Sequence, residues 1–381
     1  MIEWRRHLHR HPEVSFHEEQ TARFVRETLE SFGGLEISRP TENSVVARLR
    51  GGRPGPTLAL RADIDALPIT EENGFDFASQ NPGAMHACGH DGHTAMLLGA
   101  AQVLSATRDG LSGEIRFVFQ HAEELSPGGA EELVEAGVLE GVDAAVGVHL
   151  WSQLPVGKVG VTYGPMMAAP DIFIVTVRGK GGHAAMPHQT VDSIAVGAQV
   201  VTNLQHVVAR ETDPLANVVL SVTRFQGGTT HNVIPGAVEM EGTVRTLDPE
   251  VRDRMPGIME RVIAGVASAH GAAYEFSYSR GYRPVVNDDG LTRRIEETAR
   301  EVVGEGNVEV MPPNMGGEDF SAYGQRVPAA FYLIGAGNAA KGITAPHHHP
   351  RFTIDEDALA VGLKMHLAVA RRMLGGEGGS V

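Results

Sequence analysis

Thr57–Asp65, which reads Thr-Leu-Ala-Leu-Arg-Ala-Asp-Ile-Asp, is the stretch that decides the fold. Its first six residues form a short, mainly apolar run of the kind found in buried strands, and two carboxylates follow at the carboxyl end. Open α/β sheets bind their ligands just beyond the carboxyl ends of their strands. The stretch therefore predicts a buried strand that ends at a functional site.

Similar runs recur along the chain and alternate with patterns typical of helices. Strands are predicted at 115–119, 142–150 and 329–334, and helices from 94 onwards, around 130–136, at 291–303 and at 355–374. Strands that alternate with helices predict a largely parallel sheet, covered by helices on both faces. The expected fold class is therefore α/β with a mostly parallel sheet.

The pattern changes near residue 170. Predicted elements then follow in the order β-α-β-β-α-β, which is typical of a ferredoxin-like unit. A chain of 381 residues is too long for one ordinary core. We therefore predict an inserted domain at 169–279 and a discontinuous domain at 1–168 and 280–381 that carries the metal-binding and catalytic candidates. The Gly-rich tail at 375–379 is predicted to be disordered.

The amino-acid composition limits which binding partners and which cellular compartment are expected. The chain has 32 basic and 47 acidic residues, a net charge of -15 and no basic run, which argues against a nucleic-acid partner. No segment approaches the roughly 20 apolar residues that span a membrane. The single cysteine, Cys88, cannot form an internal disulfide and is typical of a reducing compartment. We expect a soluble cytoplasmic protein.

The densest cluster of candidate metal ligands is His86–His93, which reads His-Ala-Cys-Gly-His-Asp-Gly-His. A lone Cys-x-His pair is more often structural, but a packed core seldom accepts so many polar groups, because burial without partners is costly. Thiol, imidazole and carboxylate donors together suit one or two ions such as zinc or manganese. Cys88 and His90 are the candidate ligands, whereas His86 and His93 are predicted to orient ligands or cap the helix.

Glu123 and Glu124 lie side by side where a predicted strand ends. Adjacent side chains of a regular strand point to opposite faces, so both reach one site only if the strand ends there, as Ser126–Gly128 indicates. One glutamate would then bind a metal ion and the other would act as a general base. The alternative is a solvated acidic pair at a helix start, and the apolar run at 117–120 favours the buried arrangement.

Further candidates lie outside these clusters. His149 ends a predicted strand, and the run His347–His349 precedes the last predicted helix. In the insert, His183 belongs to a Gly-rich turn, and Asn232 and Arg245 are candidates for binding a carboxylate, since arginine suits a bidentate contact. Taken singly, each of these would pass for an ordinary loop or strand-end residue.

Eight motifs follow one another along nearly the whole chain. They are Arg5–Glu13, Arg61–Pro68, Met85–His93, Gly182–Ala185, Asn232–Pro235, Gly242–Arg245, Met315–Phe320, and His348–Pro350 with Phe352. This series resembles the dinuclear metallo-amidohydrolases that include aminoacylases, hippurate hydrolases and plant indoleacetyl-amino-acid hydrolases. The cysteine in the third motif makes this chain more similar to the hippurate hydrolase branch than to the branch in which an aspartate bridges the metals.

The resemblance implies two divalent ions per subunit, zinc or manganese, with cobalt and nickel as further options. The implied ligands are Cys88, His90, Glu124, His149 and His348, with Cys88 between the two ions. Glu123 is implied as the general base. Four further acids are predicted to support the site without binding the ions, namely Asp63, Asp65, Asp91 and Glu318.

The resemblance also assigns roles to the insert, as a lid and a dimerisation surface. His183, from the same chain or from a partner subunit, is implied to stabilise the oxyanion, and Asn232 and Arg245 to contact the substrate carboxylate. A homodimer or homotetramer is expected. One departure is His121, which stands where the family usually has proline, loosens the turn and adds a donor.

The implied reaction is hydrolysis of the amide bond of N-acyl amino acids, with N-acetyl, N-benzoyl or similar acyl groups, to a carboxylate and a free amino acid. Water activated by the metals would attack, with Glu123 as the base. Three alternatives stay open: a dipeptidase or carboxypeptidase, an N-acetyl-diaminopimelate deacetylase, and a metal-binding protein without catalysis. The peptide and N-acyl substrates share an amide and a free carboxylate, so the sequence separates them poorly.

Overall fold

The computed structural model describes residues 1–375, so the predicted disorder of the tail lies outside the described residues from Gly376 onwards. The strands are β1 Glu36–Ser38, β2 Val45–Arg50, β3 Arg53–Asp63, β4 Ser112–Gln120, β5 Ala144–Pro155, β6 Val159–Val161, β7 Gly164–Met167, β8 Ala169–Arg178, β9 Gly182–His183, β10 Val218–Gly227, β11 Val233–Ile234, β12 Ala237–Thr246, β13 Ala273–Ser279, β14 Val285–Asn287, β15 Val308–Val310 and β16 Ala329–Gly337. The helices are α1 Ile2–Arg10, α2 Glu19–Phe32, α3 His90–Ala106, α4 Ala130–Glu135, α5 Ser193–His206, α6 Pro249–Ala269, α7 Asp289–Val303, α8 Ser321–Gly324 and α9 Asp357–Leu374. Among residues 1–375, none of these helices has both the length and the apolar character needed to cross a membrane.

The chain divides into two compact units. The first unit comprises Met1–Met166, Val286–Pro313 and the residues from Asp319 onwards, and the second comprises Met167–Val285 and Asn314–Glu318. The domain boundaries at 168/169 and 279/280 stay a prediction.

An eight-stranded sheet forms the centre of the first unit. Its order is β1-β2-β4-β3-β5-β16-β6-β15, and the four central strands β4, β3, β5 and β16 run parallel to their neighbours within that set. The predicted strand at Thr57–Ala62 is part of β3, where Leu58, Ala59 and Leu60 are at most 1% exposed. β16, which comes last in the chain, is inserted between β5 and β6. The α/β fold with a mostly parallel sheet is therefore confirmed.

Helix α3 lies inside the first unit. Its residues from His90 to Ala101 are all buried, and α1, α2 and α9 pack against it. A helix that is apolar around most of its circumference is typical of such a central position. The burial fixes α3, and with it the residues at its amino-terminal end.

The second unit has the predicted ferredoxin-like order of elements. β8, α5, β10, β12, α6 and β13 follow one another, and the antiparallel sheet has the order β10-β12-β8-β13. Along β8 and β12 the side chains alternate between buried and more exposed positions, because one face of the sheet packs against the helices. α5 and α6 supply that cover through residues such as Val200 and Met259, which are fully buried.

A buried ion pair ties the amino-terminal helix to α3. Nε of Arg5 lies 2.9 Å from Oδ2 of Asp91, and both side chains are 1% exposed. The same oxygen is 2.8 Å from Nδ1 of His9. Burial opposes the charged carboxylate, but the positive charge of Arg5 and the His9 hydrogen bond hold the pKa of Asp91 well below its usual range. Asp91 therefore stays ionised at neutral pH.

Replacing Arg5 by methionine is expected to lower the free energy of unfolding by about 3–5 kcal/mol, because it leaves the Asp91 charge buried without its guanidinium partner. Urea unfolding monitored by circular dichroism measures the loss. Arg6→Met is the matched control: Arg6 pairs with Glu356 but its side chain is 37% exposed, so a loss of about 0.2–1 kcal/mol is expected. Equal losses in the two variants would contradict the assignment.

Candidate metal centre

The carboxyl ends of neighbouring parallel strands carry the candidate residues of the first unit. β3 ends at Asp63, which pairs in register with Gln120 at the end of β4. Glu123 and Glu124 follow three and four residues after the end of β4. His149 does not end its strand as predicted, because β5 continues to Pro155, but it lies just beyond Gly147, where the pairing of β5 with β3 ends. Because parallel strands end at one edge of a sheet, side chains far apart in sequence meet there.

Gly89 turns the chain between Cys88 and His90. Its φ of 100° lies in the left-handed region, which carries little cost only for glycine. Helix α3 therefore begins at His90, earlier than the predicted start at Thr94. This turn brings the thiol of Cys88 and the imidazole of His90 into one group of donor atoms.

Two groups of donor atoms share the sulfur of Cys88. One group contains Cys88, His90 and Glu124, the other contains Cys88, His149 and His347, and the donor atoms within each group lie within 4.8 Å of one another. Sγ of Cys88 is 3.4 Å from Nε2 of His149 and 3.7 Å from Nδ1 of His347. The sulfur of Cys88 is the donor atom that the two groups have in common.

His348 lies beside the carboxylate of Glu124. Its Nε2 is 3.3 Å from Oε1 of Glu124, and that oxygen is 3.9 Å from Nε2 of His90. The φ of His348 is 64°, which is uncommon for a residue with a side chain. The structure thus brings together all five side chains that the resemblance implies as ligands, and it adds His347.

Hydrogen bonds show which ring nitrogens have a lone pair for a cation. Nδ1 of His149 lies 2.7 Å from the carbonyl oxygen of Leu150, so it carries the proton and Nε2 has the lone pair. Nδ1 of His90 likewise lies 3.0 Å from the carbonyl oxygen of Asp65. Nε2 of His90 and Oε1 of Glu124 are both buried, and neither makes a hydrogen bond within residues 1–375, although Nε2 of His348 lies 3.3 Å from that oxygen in an ion-pair contact. Buried acceptors of this kind fit a metal ion.

The electrostatic field at the cluster is negative. Burial disfavours the charged form of His90, yet Asp63, Asp65 and Glu124 raise its pKa to about 10. Burial and the charge of Glu124 raise the pKa of the Cys88 thiol well above its usual value. A field that favours protons on these groups also favours a divalent cation, which competes for the same lone pairs. The donor set therefore fits a metal.

Asp65 holds two of the candidate ligands in place. Its Oδ1 is 3.1 Å from Nδ1 of His90, and its Oδ2 accepts a hydrogen bond from the backbone N–H of Glu124 at 3.0 Å. Ser15 donates to the same Oδ2 at 2.7 Å. One buried carboxylate thus orients a ligand from α3 and a ligand from the loop after β4.

Asp63 belongs to a different chain of contacts, which ends at the backbone beside His149. It accepts a hydrogen bond from Nη1 of Arg61 at 2.6 Å and lies 2.6 Å from Nδ1 of His93. Nε2 of His93 accepts from the backbone N–H of Leu150 at 2.8 Å. Both nitrogens of His93 are therefore engaged, so its ring has no lone pair for a cation even though it lies close to His90.

Asp319 anchors this network from the other side. Its carboxylate accepts from Nη2 of Arg61 at 2.8 Å, from the Gln120 side chain, and from the backbone N–H of Ala130 at 3.0 Å. Asp319 is 2% exposed and Arg61 is 1% exposed. The pair ties β3, β4 and the start of α4 together beneath the candidate ligands.

Glu123 lies in a tight turn and is 6% exposed. Ala122 before it has a φ of 51°, in the left-handed region. The Ala122 backbone N–H donates to Oε1 of Glu18 at 2.8 Å, and the N–H of Phe16 donates to the same oxygen at 3.1 Å. Burial and the charge of Asp65 raise the pKa of Glu18 to about 8. Glu18 thus holds the turn that carries Glu123.

His121, the departure from the family pattern, packs beneath the same turn. It is 2% exposed, and its Nε2 lies 2.9 Å from Oε2 of Glu132. A Cβ on Gly129 would come within 2.1 Å of the His121 carbonyl oxygen, so only glycine fits there. His121 therefore interacts with α4, and it is not a member of either donor group around Cys88.

Three sequence candidates belong to neither donor group around Cys88. Asp91 contacts Arg5 and His9, and the two ring nitrogens of His86 are buried without a hydrogen bond within residues 1–375. Glu318 is 1% exposed and belongs to the second unit. Of the four acids predicted to support the site, Asp65 contacts His90 and Asp63 contacts His93.

The insert residues belong to the second unit. β9 and β11 pair, so that His183 is opposite Val233, and the backbone N–H of Ala184 donates to the carbonyl oxygen of Asn232 at 3.1 Å. His183 and Asn232 are exposed. Arg245 lies on β12 and is half-buried, and its Nε donates to Oγ1 of Thr243 at 3.1 Å. No carboxylate forms an ion pair with Arg245 in the described part of the chain, which leaves its guanidinium available for an anion.

Sequence reasoning did not single out His347 or the Arg61–Asp319 pair. His347 was visible only as the first of three consecutive histidines, and it lies outside the motif His348–Pro350 that implied His348 as a ligand. The one signal for Arg61 was its charge within the otherwise apolar run Thr57–Ala62, because an arginine inside a buried strand needs a partner.

Comparisons with known proteins agree with this geometry. The model of peptidase family M20/M25/M40 matches residues 59–372. An N-acyl-L-amino acid amidohydrolase of Geobacillus stearothermophilus is 66% identical over 289 residues, which is 76% of this chain and 78% of that protein. Thermostable carboxypeptidase 2 of Saccharolobus solfataricus is 40% identical over 376 residues, 97% of this chain and 94% of that protein. The crystal structure of the YXEP protein of Bacillus subtilis, described as a dinuclear metal-binding peptidase of the M20 family, superposes with a TM-score of 0.84 at 40% identity and covers 97% of this chain and 96% of that one. This chain therefore belongs to peptidase family M20/M25/M40.

Proposed function

We propose that this protein is a dinuclear metal-dependent amidohydrolase that cleaves N-acyl amino acids to a carboxylate and a free amino acid. The observation that carries the proposal is the buried donor set around Cys88, in which Nε2 of His90 and Oε1 of Glu124 make no hydrogen bond within residues 1–375. The name of the Geobacillus relative agrees with this substrate class.

The proposed ligands are Cys88, His90, Glu124, His149 and His348, with Cys88 shared. Two bound cations supply a water of lowered pKa and polarise the scissile carbonyl. A cysteine ligand favours zinc, while the carboxylate also suits manganese. Asp65 and the Leu150 carbonyl oxygen hold the proton on Nδ1 of His90 and of His149, and so keep Nε2 of each ring available.

Glu123 is the proposed general base. It takes the proton of the attacking water and delivers it to the leaving nitrogen. The turn held by Glu18 positions its carboxylate, and burial keeps solvent away from it. The exposed His183 is proposed to stabilise charge on the carbonyl oxygen, and Asn232 and Arg245 to bind the substrate carboxylate, for which the unpaired guanidinium is suited.

A homodimer in the cytoplasm is the proposed state of the protein. The second unit exposes large apolar side chains, including Ile172 at 46%, Ile174 at 37% and Phe225 at 41%. Exposed apolar side chains that group on one unit are typical of an interaction surface. β10 also forms an edge of its sheet, where a further strand can add.

The proposal is tested by free-amine release from N-acetyl and N-benzoyl amino acids, dipeptides and N-acetyl-diaminopimelate. The protein is stripped of metal and reloaded with zinc, manganese, cobalt or nickel. We expect loss of release on stripping, recovery on reloading, and little turnover of the amidated form of the best substrate, because Arg245 then lacks its carboxylate. Turnover that is unaffected by stripping would overturn the metal-dependent mechanism.

A carboxypeptidase is the second candidate, because the Saccharolobus relative carries that name. The same panel separates the two activities. Dipeptides turned over faster than every N-acyl amino acid would establish the peptidase, whereas bound metal with no amine released from any substrate would favour a binding protein.

A further inference from the structure

His347 occupies an aromatic pocket next to the shared cysteine. Its ring centroid is 4.7 Å from that of Trp151 and 4.9 Å from that of Phe352. These contacts hold the plane of the imidazole, so its two nitrogens have fixed neighbours. Nδ1 lies 3.7 Å from Sγ of Cys88, and Nε2 lies 3.1 Å from the backbone nitrogen of Ser152.

The Ser152 contact decides where the proton of His347 lies. A backbone N–H can only donate, so Nε2 of His347 accepts and has no hydrogen of its own. The ring proton is therefore on Nδ1, the nitrogen that faces Cys88 and lies 3.7 Å from its sulfur. His149 has the opposite arrangement, because its Nδ1 proton goes to the Leu150 carbonyl oxygen and its Nε2 lone pair lies toward the same sulfur.

We propose that His347 is a positioning residue that donates a hydrogen bond from Nδ1 to the sulfur of Cys88, and that it is not itself a metal ligand. The inference rests on the proposed function, since it concerns a thiolate shared by two cations. It gives two adjacent histidines different roles: His348 offers a ligand nitrogen beside Glu124, and His347 offers a proton.

The hydrogen bond has a physical effect on the sulfur. The carboxylate of Glu124 lies in the same donor group as the sulfur of Cys88, and its negative charge repels a thiolate there. A donor aimed at the sulfur offsets part of that repulsion, and hydrogen bonds to charged acceptors are about twice as strong as neutral ones. It also lowers the electron density that the sulfur donates to a bound cation and fixes the direction of its lone pairs.

Asparagine and leucine at position 347 provide a matched pair of variants. The two side chains have nearly the same shape, but the asparagine amide can place an N–H close to the position of Nδ1 and leucine cannot. Both variants and the wild type are loaded with cobalt(II). The sulfur-to-cobalt charge-transfer absorption and the number of cobalt ions bound per chain are then measured.

We expect all three proteins to bind the same number of cobalt ions. In His347→Leu the charge-transfer band is expected to move to longer wavelength, because a thiolate without its hydrogen bond is easier to oxidise, and cobalt affinity to fall by about 10- to 100-fold. His347→Asn is expected to restore the wild-type band. His349→Leu is the neighbouring control, and it should leave the band unchanged, since Nδ1 of His349 accepts from the Arg351 backbone N–H.

Two results would overturn the inference about His347 and leave the proposed function intact. A His347→Leu protein that binds one cobalt fewer than wild type would show that His347 is a ligand. An unchanged charge-transfer band with full cobalt binding would show that His347 does not donate the hydrogen bond. A wild type that binds no cobalt would instead overturn the proposed function, and the inference with it. If the leucine variant does not fold, His347→Gln, whose amide reaches only the Ser152 side, is expected to show the same shift.

Discussion

Replacing Glu123 by glutamine is expected to lower kcat by about a hundred- to ten-thousandfold, because the amide cannot accept the proton of the attacking water. The metal content is expected to stay at the wild-type level, since Glu123 belongs to neither donor group around Cys88. The change keeps the size of the side chain, so the turn after β4 is expected to keep its fold. Initial rates on the best substrate of the panel and elemental analysis of the purified variant measure the two quantities.

Glu131→Gln is the matched control for this substitution. Glu131 lies at the start of α4, near Glu123 in sequence, and its side chain is 49% exposed. Glu131→Gln also removes one negative charge, but from the surface of the protein. It should leave kcat within a factor of about two, as for most surface substitutions. A Glu123→Gln enzyme that keeps a tenth or more of wild-type turnover with its metal bound would show that another group is the base.

Replacing Cys88 by alanine is expected to remove both bound metals and all measurable amide hydrolysis. Of the proposed ligands, His90, Glu124, His149 and His348 then remain, and the sulfur common to both donor groups is lost. Without the cations the pKa of the attacking water returns from about 7 toward 15.7, so Glu123 has no activated nucleophile to deprotonate.

Cys88→Asp tests the same position with a different bridging atom. A carboxylate can join two cations, and the family resemblance includes a branch in which an aspartate does so. We expect this variant to keep two metals and part of its activity. Metal retention by the alanine variant at wild-type stoichiometry would contradict the shared role of Cys88, and circular dichroism establishes that both variants are folded.

The sequence was a good guide where a pattern is local. The apolar run before Asp63 predicted β3, and the order of strands and helices in the insert matched the second unit, because periodicity reflects which side chains are buried. The start of α3 was wrong by four residues, since Thr94 suits a cap whereas the helix begins at His90, after the left-handed turn at Gly89. The resemblance supplied the family, which the comparisons confirmed.

Long-range partners could not be predicted in the same way. Arg61 and Asp319 are 258 residues apart and meet only because β3 lies in the centre of the sheet. The proton positions on His149 and His347 depend on the backbone groups of Leu150 and Ser152, which no side-chain pattern encodes. The roles of such residues follow from hydrogen bonds that exist only in the folded chain.

The position of β16 between β5 and β6 has a consequence for a chain leaving the ribosome. β5 ends at Pro155, whereas its neighbour β16 ends at Gly337, about 180 residues later. At about 5–20 residues per second, roughly ten to forty seconds of translation separate the two strands. Throughout that interval one edge of the apolar β5 has no strand to pair with, and unpaired edges invite association with other chains. We therefore expect nascent chains of this protein to need chaperones that shield strand edges.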